Sequence, residues 1–220
     1  MYRLRRFNKK SPVSHKPPYL TFNPHSVQPC IASSDGLIYI TTIDPGIVNC
    51  CIRCSAFNPQ TMHSKTLSQC LINFTDSGFN MYHDSIFHLL DRFIPYFINS
   101  HYIGIESQLT VNTDLVRMAQ HIITYLMCVV RNKGNKPLIL ELDSHLKTRL
   151  LGAPKKMNKP QRKKWARDIG IQFLESSGEQ NVADIVRSGK GDDHGDTICY
   201  EKVIIMILYG RLNHIPFPTQ

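Results

Sequence analysis

The order of apolar and polar positions begins with three short segments that have the character of β-strands. Residues 38–44 are rich in β-branched side chains and end on Asp44, and Pro45-Gly46 supplies turn chemistry directly afterwards. Residues 47–57 continue the pattern as the second strand of a hairpin, and residues 65–74 supply a third strand. The first third of the chain therefore predicts part of a β-sheet.

Helical periodicity then alternates with further strands. From Ile86, apolar side chains recur at i, i+3, i+4, i+7 and i+11, which gives residues 82–98 one apolar helix face. Further elements follow in the order strand, helix, strand and then helices, at 102–108, 113–131, 138–142, 144–151, 165–174 and 197–212. This order predicts an α/β fold, a mixed five-stranded sheet with helices on both faces.

The composition of the chain limits which partners and which cellular compartment are expected. The chain has 220 residues, a length that suits one domain. Its formal net charge of +9 suggests a polyanionic partner, with nucleic acid as the first candidate and an anionic membrane surface as the second. Seven scattered cysteines predict reduced thiols in an intracellular, reducing compartment. No apolar run approaches the roughly 18 residues of a membrane span. Since nucleic acid is the favoured polyanion, we expect no membrane partner.

The termini differ in composition from the centre of the chain. Residues 1–35 are basic and rich in proline, which denies regular structure and predicts a flexible tail. A nucleic-acid-binding arm or localisation signal and a merely solvated extension remain equal alternatives, and the prolines disfavour a mitochondrial presequence. Residues 36–214 then form the predicted domain, and residues 215–220 a short second tail.

Acidic residues follow two predicted strands and precede the last helix. Asp44 ends the first strand, Glu106 ends a later one, and Asp193 and Asp196 share a helix face ahead of an apolar run. Each acid alone suits a turn or a helix cap. If the two strands run parallel side by side, however, the carboxylates converge. A cluster of four acids requires cations, so the sequence predicts two Mg²⁺ ions, with Mn²⁺ able to substitute.

A strongly basic segment lies between these acids in sequence. Residues 152–164 form a predicted loop that favours phosphate contacts and leads into a helix with the only tryptophan, Trp165. The candidate DNA-binding residues of this segment are Lys155, Lys156, Lys159, Arg162, Lys163 and Lys164.

Cys51 and Cys54 have the spacing of half a zinc site. No second pair of cysteines or histidines follows at a suitable distance, so the sequence favours two buried strand residues over a zinc ligand pair.

Three acidic motifs resemble those of one family. They are Ile43-Asp44-Pro45-Gly46, Ile105-Glu106-Ser107-Gln108 and Asp193-His194-Gly195-Asp196. Over roughly residues 37–212 the chain is similar to the RuvC-like Holliday junction resolvases of the RNase H-like superfamily, most closely to those of poxviruses and related large DNA viruses. The resemblance implies an RNase H-like sheet.

The resemblance also implies roles for individual residues. Its metal ligands and catalytic acids would be Asp44, Glu106, Asp193 and Asp196, and Asp192 is a rival for Asp193. Lys147 is nominated as the catalytic lysine. A second lysine position falls more loosely near Lys159, where its basic neighbours compete with it.

A Mg²⁺-dependent endonuclease that nicks opposing strands of a four-way DNA junction is the implied activity. The resemblance further implies a homodimer, with the helix at 113–131 as an interface element, and no small-molecule cofactor. A viral source would place the protein at the host-cell site of viral DNA replication. Another RNase H-like nuclease, acting on RNA–DNA hybrids or resembling a transposase, and a non-catalytic nucleic-acid-binding module remain alternatives.

Overall fold

A computed structural model describes residues 34–74, 82–109, 111–131, 133, 136–188 and 191–209. Almost all of the predicted N-terminal tail and all of the C-terminal tail lie outside these residues, so the division of the chain into tails and domain stays a prediction. Within the described ranges, no helix combines the length and the apolarity that crossing a membrane requires.

Five strands form one mixed sheet, as the sequence predicted, and their order in the sheet is β3-β2-β1-β4-β5. Their bounds are β1 Ile38–Asp44, β2 Asn49–Asn58, β3 His63–Asn73, β4 Tyr102–Glu106 and β5 Leu138–Leu142. The first three strands pair antiparallel, whereas β1, β4 and β5 run parallel to one another. The long connections between the parallel strands are the crossovers that parallel pairing needs.

The helices follow the predicted order, with differences at their ends. Their bounds are α1 Tyr82–Phe97, α2 Thr113–Tyr125, α3 Leu146–Leu150, α4 Lys159–Ser176, α5 Gln180–Ser188 and α6 Gly191–Leu208. A π-helical turn, Leu126–Val130, extends α2 to nearly the predicted end. Helix α5 was not predicted, because it is a short segment of mixed polarity.

Two helices begin earlier than predicted. The predicted basic loop is wrong beyond Asn158, whose side chain caps α4 in a capping box with Gln161. Pro160 does not interrupt this helix because a proline in the first turn removes no helical hydrogen bond. Helix α6 begins at Gly191, so Asp193 and Asp196 lie inside the helix and not just ahead of it.

Helices cover both faces of the sheet, as predicted. Side chains alternate between the faces along each strand, so Ile43 and Ile105 pack under α1 and α2, whereas Ile40 and Tyr102 pack against α6. One apolar core therefore lies on each face of the sheet, between the strands and the helices that cover them. The ends of β1 and β4 are therefore fixed relative to α6.

Helices α4 and α6 cross with their backbones in close contact at Gly195. A Cβ atom on Gly195 would lie 2.6 Å from the Cα of Arg167, closer than non-bonded carbon atoms approach. Only glycine fits this crossing without displacing α4. Because Gly195 lies between Asp193 and Asp196, the crossing brings the basic start of α4 beside the acidic turn of α6.

An ion pair is buried between β2 and α6. Arg53 and Glu201 are 2% and 1% exposed, and the Arg53 Nε donates to Glu201 Oε2 at 2.5 Å. The remaining guanidinium protons are directed to Thr66 and Gln69, at 2.8 Å each, and to Glu179. Burial raises the pKa of Glu201, but Arg53 and Lys202 outweigh this effect and lower it, so the carboxyl group is charged.

We expect Glu201→Gln to reduce the free energy of unfolding by about 3 kcal/mol, because it leaves a buried guanidinium without its principal counter-charge. The matched control is Glu175→Gln, which removes an ion pair with Arg187 on the surface and should cost less than about 1 kcal/mol. Urea denaturation of the two variants measures both values. Equal losses would show that the buried pair contributes no more than a surface pair.

Candidate active site

Asp44 and Glu106 lie side by side at one edge of the sheet. The parallel register of β1 and β4 pairs Ile43 with Ile105, so the next residue of each strand is a carboxylate on the α6 face. The Asp44 carboxyl group is within hydrogen-bonding reach of Glu106. The convergence that the sequence predicted for these two acids is therefore present.

Helices α6 and α3 add a third acid and a lysine. Lys147 Nζ lies 2.6 Å from Asp196 Oδ1 and 3.7 Å from Glu106 Oε1. Lys147 follows β5 closely, since the turn between β5 and α3 is fixed by a hydrogen bond from the His145 amide to Asp143 Oδ1 at 2.7 Å. Two parallel strands and two helices thus direct these four side chains to one point.

Crowding of like charges perturbs this cluster. Burial, reinforced by Glu106 and Asp196, raises the pKa of Asp44 well above its usual value. Burial also raises the pKa of Asp196, to about 6, although Lys147 opposes the shift. For Lys147, burial lowers the pKa, but the surrounding carboxylates outweigh this effect and raise it. The lysine is therefore charged, but its single positive charge cannot balance three ionised carboxylates.

The donor set suits a hard divalent cation. Carboxylate oxygens are the ligands that Mg²⁺ and Mn²⁺ prefer. The pKa values of Asp44 and Asp196 are raised first by burial and then by the neighbouring carboxylates, and a bound cation would offset both effects. In the conformation described, no three His, Cys, Asp or Glu side chains of the described residues are arranged to hold a metal. The Lys147 ammonium instead pairs with Glu106 and Asp196.

Asp193 lies one helical turn before Asp196 and makes different contacts. Asn49 Nδ2 donates to Asp193 Oδ2 at 3.2 Å, and Lys163 Nζ lies 3.7 Å from Asp193 Oδ1. Asn49 begins β2 after a turn so tight that a Cβ on Gly46 would lie 1.9 Å from the Asn49 carbonyl oxygen. The side chain of the rival Asp192 lies outside the described part of the chain.

Asn49 and Tyr200 were not predicted as site residues. The Lys147 ammonium lies 4.6 Å from the centroid of the buried Tyr200 ring, a cation–π contact that helps to hold the lysine. The sequence contained a signal for Tyr200, because it follows Asp196 by four residues and so shares its helix face. Asn49 carried no comparable signal, since an asparagine after a turn is common.

The six basic candidates divide into two groups. Lys159, Arg162 and Lys163 line a cleft of about 190 Å³ together with the acidic cluster, because they occupy the first turns of α4. Lys155, Lys156 and Lys164 are exposed and outside this cleft.

Cys51 and Cys54 point to opposite faces of β2, because residues three apart on a strand do so. Cys51 Sγ contacts His194 Nδ1 at 3.3 Å, whereas Cys54 Sγ accepts from the Thr41 hydroxyl at 3.4 Å. Burial raises the pKa of both thiols, that of Cys54 to about 12. They are neutral buried strand residues, as predicted, and cannot bind one zinc ion together.

No protein-family model matches the sequence, and no curated protein is recognisably similar to it. Comparison of folds gives clear matches. The fowlpox virus Holliday junction resolvase superposes with a TM-score of 0.52 at 15% identity, over 76% of this chain and 97% of its own. The same resolvase in complex with substrate Holliday junction DNA gives a TM-score of 0.52 at 14% identity, over 76% of this chain and 99% of its own.

Thermus thermophilus RuvC in complex with a Holliday junction substrate gives a TM-score of 0.49 at 13% identity, over 80% of this chain and 97% of its own. The matches to the fowlpox virus resolvase span nearly all of that protein. The chain therefore has the RNase H-like fold that the sequence predicted, in the form found in the fowlpox virus Holliday junction resolvase.

Proposed function

We propose that this protein is a Holliday junction resolvase, a divalent-metal-dependent endonuclease that nicks two opposing strands of a four-way DNA junction. The observation that carries the proposal is the convergence of Asp44, Glu106, Asp196 and Lys147 at one edge of the sheet. The shared fold with a poxvirus resolvase supports the same activity. The basic start of α4 beside this cluster supports a polyanionic substrate.

Asp44, Glu106 and Asp196, with Asp193 beside them, would hold two Mg²⁺ ions, which when bound would supply a nucleophilic water and neutralise charge on the leaving oxygen. Lys147 would stabilise negative charge that develops on the scissile phosphate, since its raised pKa keeps the ammonium charged at neutral pH. Tyr200 would keep that ammonium in place beneath the phosphate.

The basic residues would contact the DNA backbone in two places, one group near the scissile phosphate and the other farther from it. Lys159, Arg162 and Lys163 lie in the cleft and would contact phosphates adjacent to the scissile one. The exposed Lys155, Lys156 and Lys164 would contact backbone farther along the arm. Contacts of this kind read charge and shape rather than base sequence, so affinity should fall steeply as salt rises.

The substrate also has implications for oligomeric state. A four-way junction has approximate two-fold symmetry, and two opposing cuts require two active sites, so we propose a homodimer. Leu109 and Val111, just before α2, are 64% and 88% exposed, and Phe87 of α1 is 38% exposed beside α2. These apolar side chains favour self-association through the α1–α2 face.

Substituting glutamate at both Leu109 and Val111 is expected to convert the dimer to monomer, because the change places charge on an apolar interface. Sedimentation velocity measures the mass. The matched control is Ile185→Glu on α5, which is 61% exposed on the opposite side of the sheet and should leave the dimer intact. A dimer that survives the double substitution would place the interface elsewhere.

Stabilisation by Mg²⁺ should depend on pH. In the folded protein the pKa values of Asp44 and Asp196 are raised, so the unfolded chain releases these protons first as pH rises. The metal-free protein should therefore lose stability as the pH rises from about 4 through about 6, the pKa of Asp196, and should lose more as Asp44 ionises. Because Mg²⁺ binds deprotonated carboxylates, the increase in Tm that it causes should be larger at about pH 8 than at about pH 5. Equal increases would contradict a carboxylate site.

The proposed activity is tested by offering the full-length protein a synthetic four-way junction, a linear duplex and an RNA–DNA hybrid, each with Mg²⁺ and with EDTA. We expect paired nicks in the junction alone, lost with EDTA. Preferential cleavage of the hybrid would assign the same site to another RNase H-like nuclease. Binding without cleavage of any substrate would indicate a non-catalytic nucleic-acid-binding module.

A further inference from the structure

The only tryptophan of the chain lies in the cleft beside the acidic cluster. Trp165 lines the same cavity of about 190 Å³ as Glu106, Lys147 and Asp196, and it is partly exposed there. Among the described residues, its indole ring makes no aromatic, cation–π or side-chain hydrogen-bonding contact. The N–H group and the exposed part of the ring are therefore available to a ligand in the cleft.

An indole in this position is not explained by packing. Tryptophan stabilises proteins by burying a large apolar ring and satisfying its N–H, and here the neighbours in the cleft are mostly charged or hydroxyl-bearing side chains. The buried side of α4 is instead formed by Ala166, Gly170 and Leu174. The ring of Trp165 therefore contributes less to the core than its size allows.

The shape and charge of the cleft indicate what would cover the ring. Its volume is below the roughly 300 Å³ at which small-molecule pockets begin. Carboxylates and Lys147 lie on one side of it, and the first turns of α4 place Arg162 and Lys163 beside the tryptophan. Phosphate-binding cations next to an aromatic face are the combination with which proteins hold a single nucleic-acid strand.

We propose that Trp165 is a stacking platform for the nucleobase adjacent to the scissile phosphate. This inference rests on the proposed nuclease function and adds a contact to the base. Arg162 and Lys163 hold the flanking phosphates, and the indole ring fixes the nucleotide between them. The contact positions the scissile phosphate over the acids, and it tolerates any base because every base has a π face.

Intrinsic fluorescence tests the contact directly, because Trp165 is the only tryptophan. The full-length Asp44→Asn variant is titrated with the four-way junction, and anisotropy of a dye on a distal arm measures binding independently. We expect the tryptophan emission to be quenched in parallel with the rise in anisotropy. Complete binding by anisotropy with unchanged emission would overturn the proposal.

A cycle of protein and DNA changes then separates stacking from structural effects. Trp165→Leu should weaken junction binding about 5- to 150-fold, whereas Trp165→Phe, which keeps a π face, should retain most of the affinity. Phe173→Leu is the matched control, since it is a partly buried aromatic residue on the same helix, outside the cleft. It should leave binding unchanged.

The DNA change is a junction that lacks the base at the nucleotide beside the mapped cut. We expect the unsubstituted protein to bind this abasic junction more weakly than the intact junction, by the same factor by which Trp165→Leu weakens binding of the intact junction. The Trp165→Leu variant should bind both junctions with equal affinity. Equal effects of Trp165→Leu on both junctions would overturn the stacking contact while leaving the proposed function intact. An unsubstituted protein that neither binds nor cuts any junction would overturn the proposed function itself.

Discussion

Asp44→Asn is expected to reduce junction cleavage by about 1000-fold or more while binding is retained or becomes tighter. Asp44 lies at the end of β1 beside Glu106, and Asp196 is close enough to raise its pKa, so its carboxylate belongs to the proposed cation site. Loss of a metal ligand removes several kcal/mol of transition-state stabilisation. The same change removes a negative charge that repels phosphate, which favours binding. Single-turnover cleavage and electrophoretic mobility shift measure the two effects separately.

The matched control is Asp168→Asn on α4, an aspartate outside the cleft that pairs with Arg167 at 3.8 Å. Cleavage by this variant should be unchanged. Turnover by Asp44→Asn at the rate of the unsubstituted protein would refute the proposed metal site. Parallel loss of cleavage and folding, monitored by circular dichroism, would assign Asp44 a structural role.

The second large effect is expected for Lys147→Ala, which should slow cleavage about 100- to 1000-fold and weaken junction binding only a few-fold. Lys147 Nζ lies 2.6 Å from Asp196, among the carboxylates rather than at the surface, so it is placed to act on the reacting phosphate. Rates under saturating DNA report the chemical step, and titration reports binding.

A control for Lys147→Ala is Lys65→Ala, which removes an exposed lysine of β3 away from the cleft and should change neither quantity. Arg162→Ala provides a contrast, because it should weaken binding and reduce the salt dependence while affecting the saturated rate less. If Lys147→Ala lost binding alone, the lysine would be a phosphate tether and not a catalytic group.

Local patterns in the sequence predicted the sheet and two of the acids. The β-branched runs before Asp44 and Glu106 predicted both strand ends. The parallel pairing of β1 with β4 was only a condition of the predicted convergence, and the structure shows that it is met. The nomination of Lys147 came from the resemblance, since a lysine in a short helix carries no local signal of its contacts.

Other features could not be predicted because they depend on long-range packing. Asn49 and Asp193 are 144 positions apart in sequence, and their hydrogen bond exists only once α6 lies across β2. The start of α6 was misplaced because Gly191 and Gly195 suggest a loop, whereas Gly195 in fact permits the close crossing with α4. That crossing also places Trp165 and the lysines of α4 in the cleft.

Junction cleavage by the site that contains Asp44 is tested most directly with a supercoiled plasmid that extrudes a cruciform from an inverted repeat. Coordinated cleavage of opposing strands at one junction converts it directly to a linear product, whereas uncoordinated nicking gives open circles. We expect linear plasmid with Mg²⁺, and none with EDTA or with Asp44→Asn. Linear product from Asp44→Asn, or equal cleavage of a plasmid without the inverted repeat, would contradict a junction resolvase that acts through the Asp44 cluster.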